Sequence, residues 1–349
     1  MLGSVASRAV PGSRLRRPPA ALSLGLAVLV GVAGSAGVLV SAKDRTDSVT
    51  RVEGVVEALE QQANDAPAEN YLLVGSDSRE GIAEDDPNAA AIGSTDDVVN
   101  RRSDTIMILR RERNGGAALL SIPRDLWVEI AGTGREAKIN AAFNDGATRL
   151  AATISAELGI PIHHYVEIDF AGFQRLVDQI GGVEICTMYA VQDLHSGLRL
   201  DPGCQVLDGS MALAYARSRY YEEWIDGEWK RDGTADLGRI QRQQHFIRTA
   251  TEKLLATVES DPFKVGELIE AAIGAVAVDE NLDPVKAASA LRQAAANGLV
   301  TYSLPVDFAE HRGQSALDLR VEEAQPILDY FRGVGPLPPP PETTTPTSN

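Results

Sequence analysis

Basic charge is in short supply: 33 Lys and Arg stand against 49 Asp and Glu, a formal net charge of −16 over 349 residues. Affinity for a phosphate backbone depends on Lys and Arg spread over a broad surface, so the balance argues against a generic nucleic-acid partner. Any anion site must be local. The absence of a basic recognition helix disfavours a cytoplasmic transcriptional regulator as well. Cysteine is scarcer still. Cys186 and Cys204 are the only two, and no further His or Cys pair lies nearby to complete a metal site. They could serve as two small buried hydrophobes, but in an exported chain such a pair more often joins in a structural disulfide. No G-x-G-x-x-G, Walker A, H-E-x-x-H or G-x-S-x-G pattern occurs, which leaves nucleotide-binding, zincin and α/β-hydrolase readings without support. There is no internal repeat.

Apolar residues, by contrast, make up an ordinary 44%, enough for the core of one large domain or two small ones. Residues 20–42, AALSLGLAVLVGVAGSAGVLVSA, carry no charge. As a helix this run is about 34 Å long, sufficient for a hydrocarbon core of about 30 Å. Arg8, Arg14, Arg16 and Arg17 precede it, whereas Lys43 and Arg45 are interleaved with Asp44 and Asp47. The positive-inside rule therefore keeps residues 1–19 in the cytoplasm and the rest outside, giving a single-pass protein of the cell membrane. A cleaved signal with VSA at 40–42 is the competing reading, but the run exceeds the usual apolar length of such signals. Both readings export the domain.

Residues 43–67 show a helical apolar period at Val49, Val52, Val55, Val56 and Leu59, suited to a juxtamembrane stalk. The folded domain is expected over 68–334. YLLVGSD (71–77), DTIMILRRE (104–112) and AALLSIPR (117–124) read as strands, separated by a long polar loop over 80–102. A helix over 139–158 ends at Gly159 and Pro161. Strands at HHYVEID and VEIC flank a helix through AGFQRLVDQI. Helices over 208–215, 236–258, 264–276 and 284–296 and a strand at LVTYSLP follow. This alternation predicts an α/β fold, a three-layer α/β/α sandwich with a central mixed sheet, preceded by one transmembrane helix. The tail 335–349, rich in Pro and Thr, cannot form a packed core.

Arginine and aspartate recur at the element ends. Asp77 and Arg79 follow the first strand, Arg102 and Asp104 open the second, and Arg124 with Asp125 closes the third. In DLGRIQRQQHFI, Asp236, Arg239 and Gln243 fall within an arc of about 60° beside the stripe of Leu237, Ile240 and Ile247. Asp236 could be a helix cap; capping does not explain the arginine and amide on the same flank. In ARSRY, Arg217 and Arg219 are two apart, a spacing that aims both side chains to one side of an extended backbone.

The segments LLVGSDSRE, RRSDTIMILR, SIPRD, KINAAF, LDGSMALAYARSRY and DLGRIQRQQ, in this order, resemble the LytR-CpsA-Psr family of cell-envelope proteins. The resemblance implies an enzyme that moves a glycopolymer from a polyprenyl diphosphate lipid to peptidoglycan, normally with Mg²⁺, on an α/β/α fold with a greasy channel. It places Asp77 and Asp104 at the metal. It sets Arg79, Arg102, Arg124, Arg217, Arg219 and Arg239 around the diphosphate, with Asp236 and Gln243 completing the helical side. Asp104, Arg124 and Arg239 carry the catalytic expectation, Asp104 being the preferred base, and Lys138 and Asn140 have a supporting role. The guanidinium forks suit the choice, because they contact phosphoryl oxygens bidentately and do not deprotonate. The Asp-rich segment before Asp104 and the stretch YEEWIDGEWKRDGTA depart from the family pattern. Two other functions use the same residues: hydrolysis of the lipid diphosphate, and non-catalytic sensing of lipid-linked precursors.

Overall fold

The computed structural model describes residues 49–61, 68–76, 103–233, 235–260, 265–283 and 299–339. Seven strands form the central sheet: β1 (Thr50–Val52), β2 (Ala68–Ser76), β3 (Ser103–Glu112), β4 (Ala117–Ile122), β5 (His164–Ile168), β6 (Val276–Asp279) and β7 (Leu299–Ser303). Their order is β1-β6-β5-β2-β3-β4-β7. The sheet is mixed. β3 runs antiparallel to β2 and β4, β5 runs antiparallel to β6, and the pairs β1/β6, β2/β5 and β4/β7 are parallel.

The helices are α1 (Ala147–Leu158), α2 (Phe170–Gln179), α3 (Gly209–Arg217), α4 (Ala235–Ser260), α5 (Val265–Ala275) and α6 (Val321–Arg332). In β2, Tyr71 and Leu73 enter one core with Leu176 of α2, Ala212 of α3, Phe246 of α4 and Leu268 of α5. Leu72 and Val74 enter the other with Ile154 of α1 and Phe331 of α6. A strand buried on both faces reads as an unbroken apolar run, which is why YLLV is legible as sheet interior. Helices on both faces give the three layers that the alternation predicts.

Several boundaries differ from expectation. The stalk is not separate from the domain: β1 pairs with β6, Val49 is 5% exposed and Val55, in a short 3-10 turn, is fully buried. The helix expected over 139–158 is two elements, a 3-10 segment (Ile139–Asp145) and α1, broken at Gly146, whose φ of 100° suits glycine. A hairpin, Val306–His311 with Gln314–Leu319, and α6 follow β7, where the sequence pattern predicts no element. The tail also begins later than 335, since the Tyr302 hydroxyl donates to the Pro338 carbonyl at 2.6 Å. The run 20–42, the loop 80–102 and the helix expected over 284–296 lie outside the described residues. Among the described residues no helix is long and apolar enough to cross a membrane.

Cys186 and Cys204 form a disulfide. They are directly opposite each other in a ribbon of Val183–Thr187 and Gly203–Leu207, so the bond closes the loop between these strands. A loop of this size stabilises the fold by about 3 kcal/mol in the chain-entropy account. Urea unfolding with and without reductant should therefore differ by about that amount, and equal midpoints would contradict a stabilising role.

Candidate active site

Strand direction gathers chemistry at one edge of the sheet, where β2, β4 and β5 end and β3 begins. Gly75 pairs with Thr105 while Ser76 pairs with Ser103, so Asp104 is the extra residue of a bulge, a device that re-aims a strand beside a site. A Cβ on Gly75 would come within 3.1 Å of the Thr105 Cβ, and glycine permits this close approach.

Beside this edge opens an apolar cleft walled by residues including Leu73, Met107, Phe170, Phe173, Phe246 and Ile247. Ser76, Thr105, Arg217 and Gln243 also line it. Gln243 Nε2 donates to Thr105 Oγ1 at 2.9 Å and to the Ala216 carbonyl at 3.1 Å, tying α4 to β3 and α3. The Arg217 guanidinium lies 4.5 Å from the Phe170 ring centroid, a cation–π contact that fixes a charge against an apolar wall. Arg239 lies one helical turn before Gln243 on the same flank of α4 and is 2% exposed.

A second, polar cleft is lined by Arg124, Asp125, Arg135, Lys138, Asn140 and Gln314, among others. Asp125 gathers the cations: Lys138 Nζ stands 3.1 Å from its carboxylate, Arg219 Nη2 3.6 Å and Arg124 Nε 3.8 Å. The main chain does the rest. Ile139 N donates to the Leu126 carbonyl at 2.8 Å and Asn140 N to the Arg124 carbonyl at 3.1 Å, so SIPRD and KINAAF build one wall.

ARSRY is not extended. Arg217 is the last residue of α3, and Arg219 reaches Asp125 in the polar cleft; the two arginines serve two clefts. Asp193, 1% exposed, holds the turn between them. It accepts bonds from Ser218 Oγ at 2.8 Å and from the Arg219 and Tyr220 amides at 2.9 Å each. Its other oxygen accepts the His195 amide at 2.9 Å and the Ser196 amide at 3.3 Å. Burial pushes its pKa up, but the bonds from Tyr220, Ser218, His195 and Arg219 outweigh burial and hold the carboxyl below its ordinary range. From the other side Arg242 donates to the Ser218 carbonyl at 2.6 Å and meets Asp232 at 3.1 Å.

The structure thus brings together Arg124, Lys138, Asn140 and Arg219 in one cleft, and Arg217 with Gln243 at the other. Asp77, Arg79 and Arg102 lie outside the described residues, and Asp104 and Asp236 are placed by backbone alone. Sequence reasoning missed Asp193, Arg242 and the gathering role of Asp125. Arg242 stood in GRIQRQQ, three residues after Arg239, and its spacing was the available signal.

A cleft walled by apolar rings and edged by arginine suits a greasy chain with an anionic head. A family model described as the LytR_cpsA_psr family matches residues 35–329. The probable cell wall biosynthesis protein LcpB of Corynebacterium glutamicum is 37% identical over 258 residues, covering 72% of this chain and 58% of its own. A polyisoprenyl-teichoic acid–peptidoglycan teichoic acid transferase, TagU of Halalkalibacterium halodurans, is 34% identical over 197 residues, covering 56% and 60%. The matched region thus spans less than two thirds of these relatives' own length. In fold, the chain resembles the LytR-Csp2A-Psr enzyme from Actinomyces oris, with a TM-score of 0.62 at 23% identity, over 81% of this chain and 95% of that one.

Proposed function

The chain belongs to the LytR_cpsA_psr family, and from that premise we propose that it transfers a glycopolymer from a polyprenyl diphosphate donor to peptidoglycan. The observation that carries this reading is that one short turn supplies Arg217 to the apolar cleft, where Gln243 also stands, and Arg219 to the cation cluster with Arg124 and Lys138. The prenyl chain occupies the first and the diphosphate is held by arginines from both. The C6 hydroxyl of a muramic sugar attacks the phosphorus next to the glycopolymer. Its proton passes to an aspartate, with Asp104 the preferred base, while the bridging P–O bond breaks and polyprenyl phosphate departs. A phosphodiester joins polymer to wall. Water in place of the hydroxyl would make the same pocket a diphosphatase.

Mg²⁺ belongs to this proposal. Asp125 is engaged by three cations, and the described residues contain no group of three or more His, Cys, Asp or Glu able to hold a metal. The fit therefore rests on Asp77 and Asp104. Ser76 pairs with Ser103, so these two residues each follow one member of a facing pair, and both offer the hard oxygen donors that Mg²⁺ prefers. When bound, the ion would neutralise charge on the diphosphate and its leaving group. The proposed location, a membrane-anchored domain outside the cytoplasm, rests on residues 20–42 and the arginines before them.

Transfer is tested with a lipid-linked donor and peptidoglycan, reading wall-linked polymer against released polymer. Arg217→Lys keeps the charge but loses the guanidinium held over Phe170 and the two-pronged contact with phosphoryl oxygens. Transfer should fall about ten- to a hundredfold, the equivalent of one charge-assisted bond. Wild-type transfer by this variant would remove Arg217 from the site, and release of polymer without wall linkage would identify a hydrolase.

A further inference from the structure

Beyond Arg219 the chain makes a hairpin, Glu222–Ile225 with Glu228–Arg231, turned by Asp226 and Gly227. Trp224 faces Trp229 across the strands and Glu222 faces Arg231, so period-two alternation puts all four on one side. The two indole centroids are 5.2 Å apart. Arg231 lies 5.0 Å from the Tyr220 ring centroid, and Tyr220 meets His195 at 4.2 Å. Tyr221, on the alternate side, packs into the core against Arg242. The outward side is therefore a continuous strip of His195, Tyr220, Arg231, Trp229 and Trp224. Its aromatic members are 42%, 40% and 44% exposed for Tyr220, Trp229 and Trp224.

Single exposed apolar residues are ordinary, whereas aligned ones mark a binding surface. Two properties narrow the ligand. The hairpin carries four acidic residues against Lys230 and Arg231, which opposes nucleic acid and anionic lipid surfaces. The strip also has a polar cluster beside it, where Gln192 donates to Glu222 at 2.9 Å and Arg231 lies 3.3 Å from Glu222. A pyranose ring has the matching character: an apolar C–H face that stacks on an aromatic ring, and hydroxyls around its edge that reach carboxylate, amide and guanidinium.

We propose that this strip binds uncharged sugar rings of a polysaccharide and guides them to the polar cleft. Tyr220 directly follows Arg219, whose guanidinium stands at Asp125, so the strip begins one residue from the cation cluster of that cleft. The assignment of the strip to the transfer reaction rests on the proposed function, but the binding itself is measured without turnover.

The test is calorimetric titration of the full chain with chitohexaose, an N-acetylated strand of acceptor type, and with a neutral galactohexaose of donor type, each to about 10 mM. Binding of either sugar is expected. Trp224→Ala and Trp229→Ala should each weaken it about tenfold, the worth of one aromatic contact, with thermal midpoints unchanged. Trp224→Tyr should retain part of the binding, and Trp224→Leu, apolar without a π face, should not. The sugar that binds more tightly identifies the source. The proposal is overturned if neither sugar binds, if the alanine or leucine variants bind as wild type, or if the tryptophans instead govern binding to phosphatidylglycerol vesicles.

Discussion

Asp125→Ala should lower glycopolymer transfer by about two to three orders of magnitude while leaving the protein folded. Lys138, Arg124 and Arg219 stand 3.1 to 3.8 Å from this one carboxylate. Without it they repel one another and take separate positions, and a misplacement of about 1 Å in a positioned group can cost a hundredfold. The stability loss should be small, about 1 kcal/mol, because the Lys138 and Arg219 side chains are 26% and 35% exposed and water screens them. Asp125→Glu, which keeps the charge but moves it by a methylene, should fall between wild type and alanine. Transfer within threefold of wild type for Asp125→Ala would mean that the cluster is a solvated surface feature.

Asp193→Asn should have the largest effect on stability, about 3 kcal/mol at neutral pH, because hydrogen bonds to a charged group are worth more than neutral ones and the replacement leaves buried donors facing an NH₂ group. Transfer should fall with it, since the carboxylate sets the turn that sends Arg217 and Arg219 to different clefts. The pH dependence has a defined sign. The folded carboxyl titrates below its ordinary range, so its contribution is present above the unfolded value of about 3.9 and is lost as pH falls through the folded one. Urea midpoints of wild type and Asp193→Asn should be far apart at neutral pH and converge in strong acid. A gap independent of pH would show that the charge is not what stabilises the turn.

What the sequence reveals here follows the range of the interactions. The interior strands are legible because both their faces are buried, which leaves continuous apolar runs. β1 misleads for the same kind of reason: Val49, Val52 and Val55 are spaced like one face of a helix, yet Val49 joins one core and Val55 the other. Gly54, at φ 75°, turns the chain between them. ARSRY misleads because a spacing of two means a shared side only in a strand, and Arg217 still belongs to a helix. SIPRD and KINAAF are visible as segments, but their union depends on an intervening hairpin, Trp127–Ile130 with Arg135–Lys138, that returns the chain. Asp193 shows locally only the turn it makes with the His195 and Ser196 amides. Three of its donors come from residues 218 to 220, more than twenty positions away.

The incorporation of β1 into the sheet sets the length of the leash. With residues 20–42 as the proposed anchor, the chain between bilayer and packed domain is not the 25 residues of a stalk but residues 43–48, since Val49 is already core. Six residues span at most about 20 Å when fully extended. So anchored, the domain would search in two dimensions beside the membrane, and the tail of the proposed prenyl-linked donor would not need to leave the bilayer far behind to enter the apolar cleft. Under that proposed anchor and the proposed transfer, the same restraint would bound the other substrate, favouring wall strands in the layer next to the membrane.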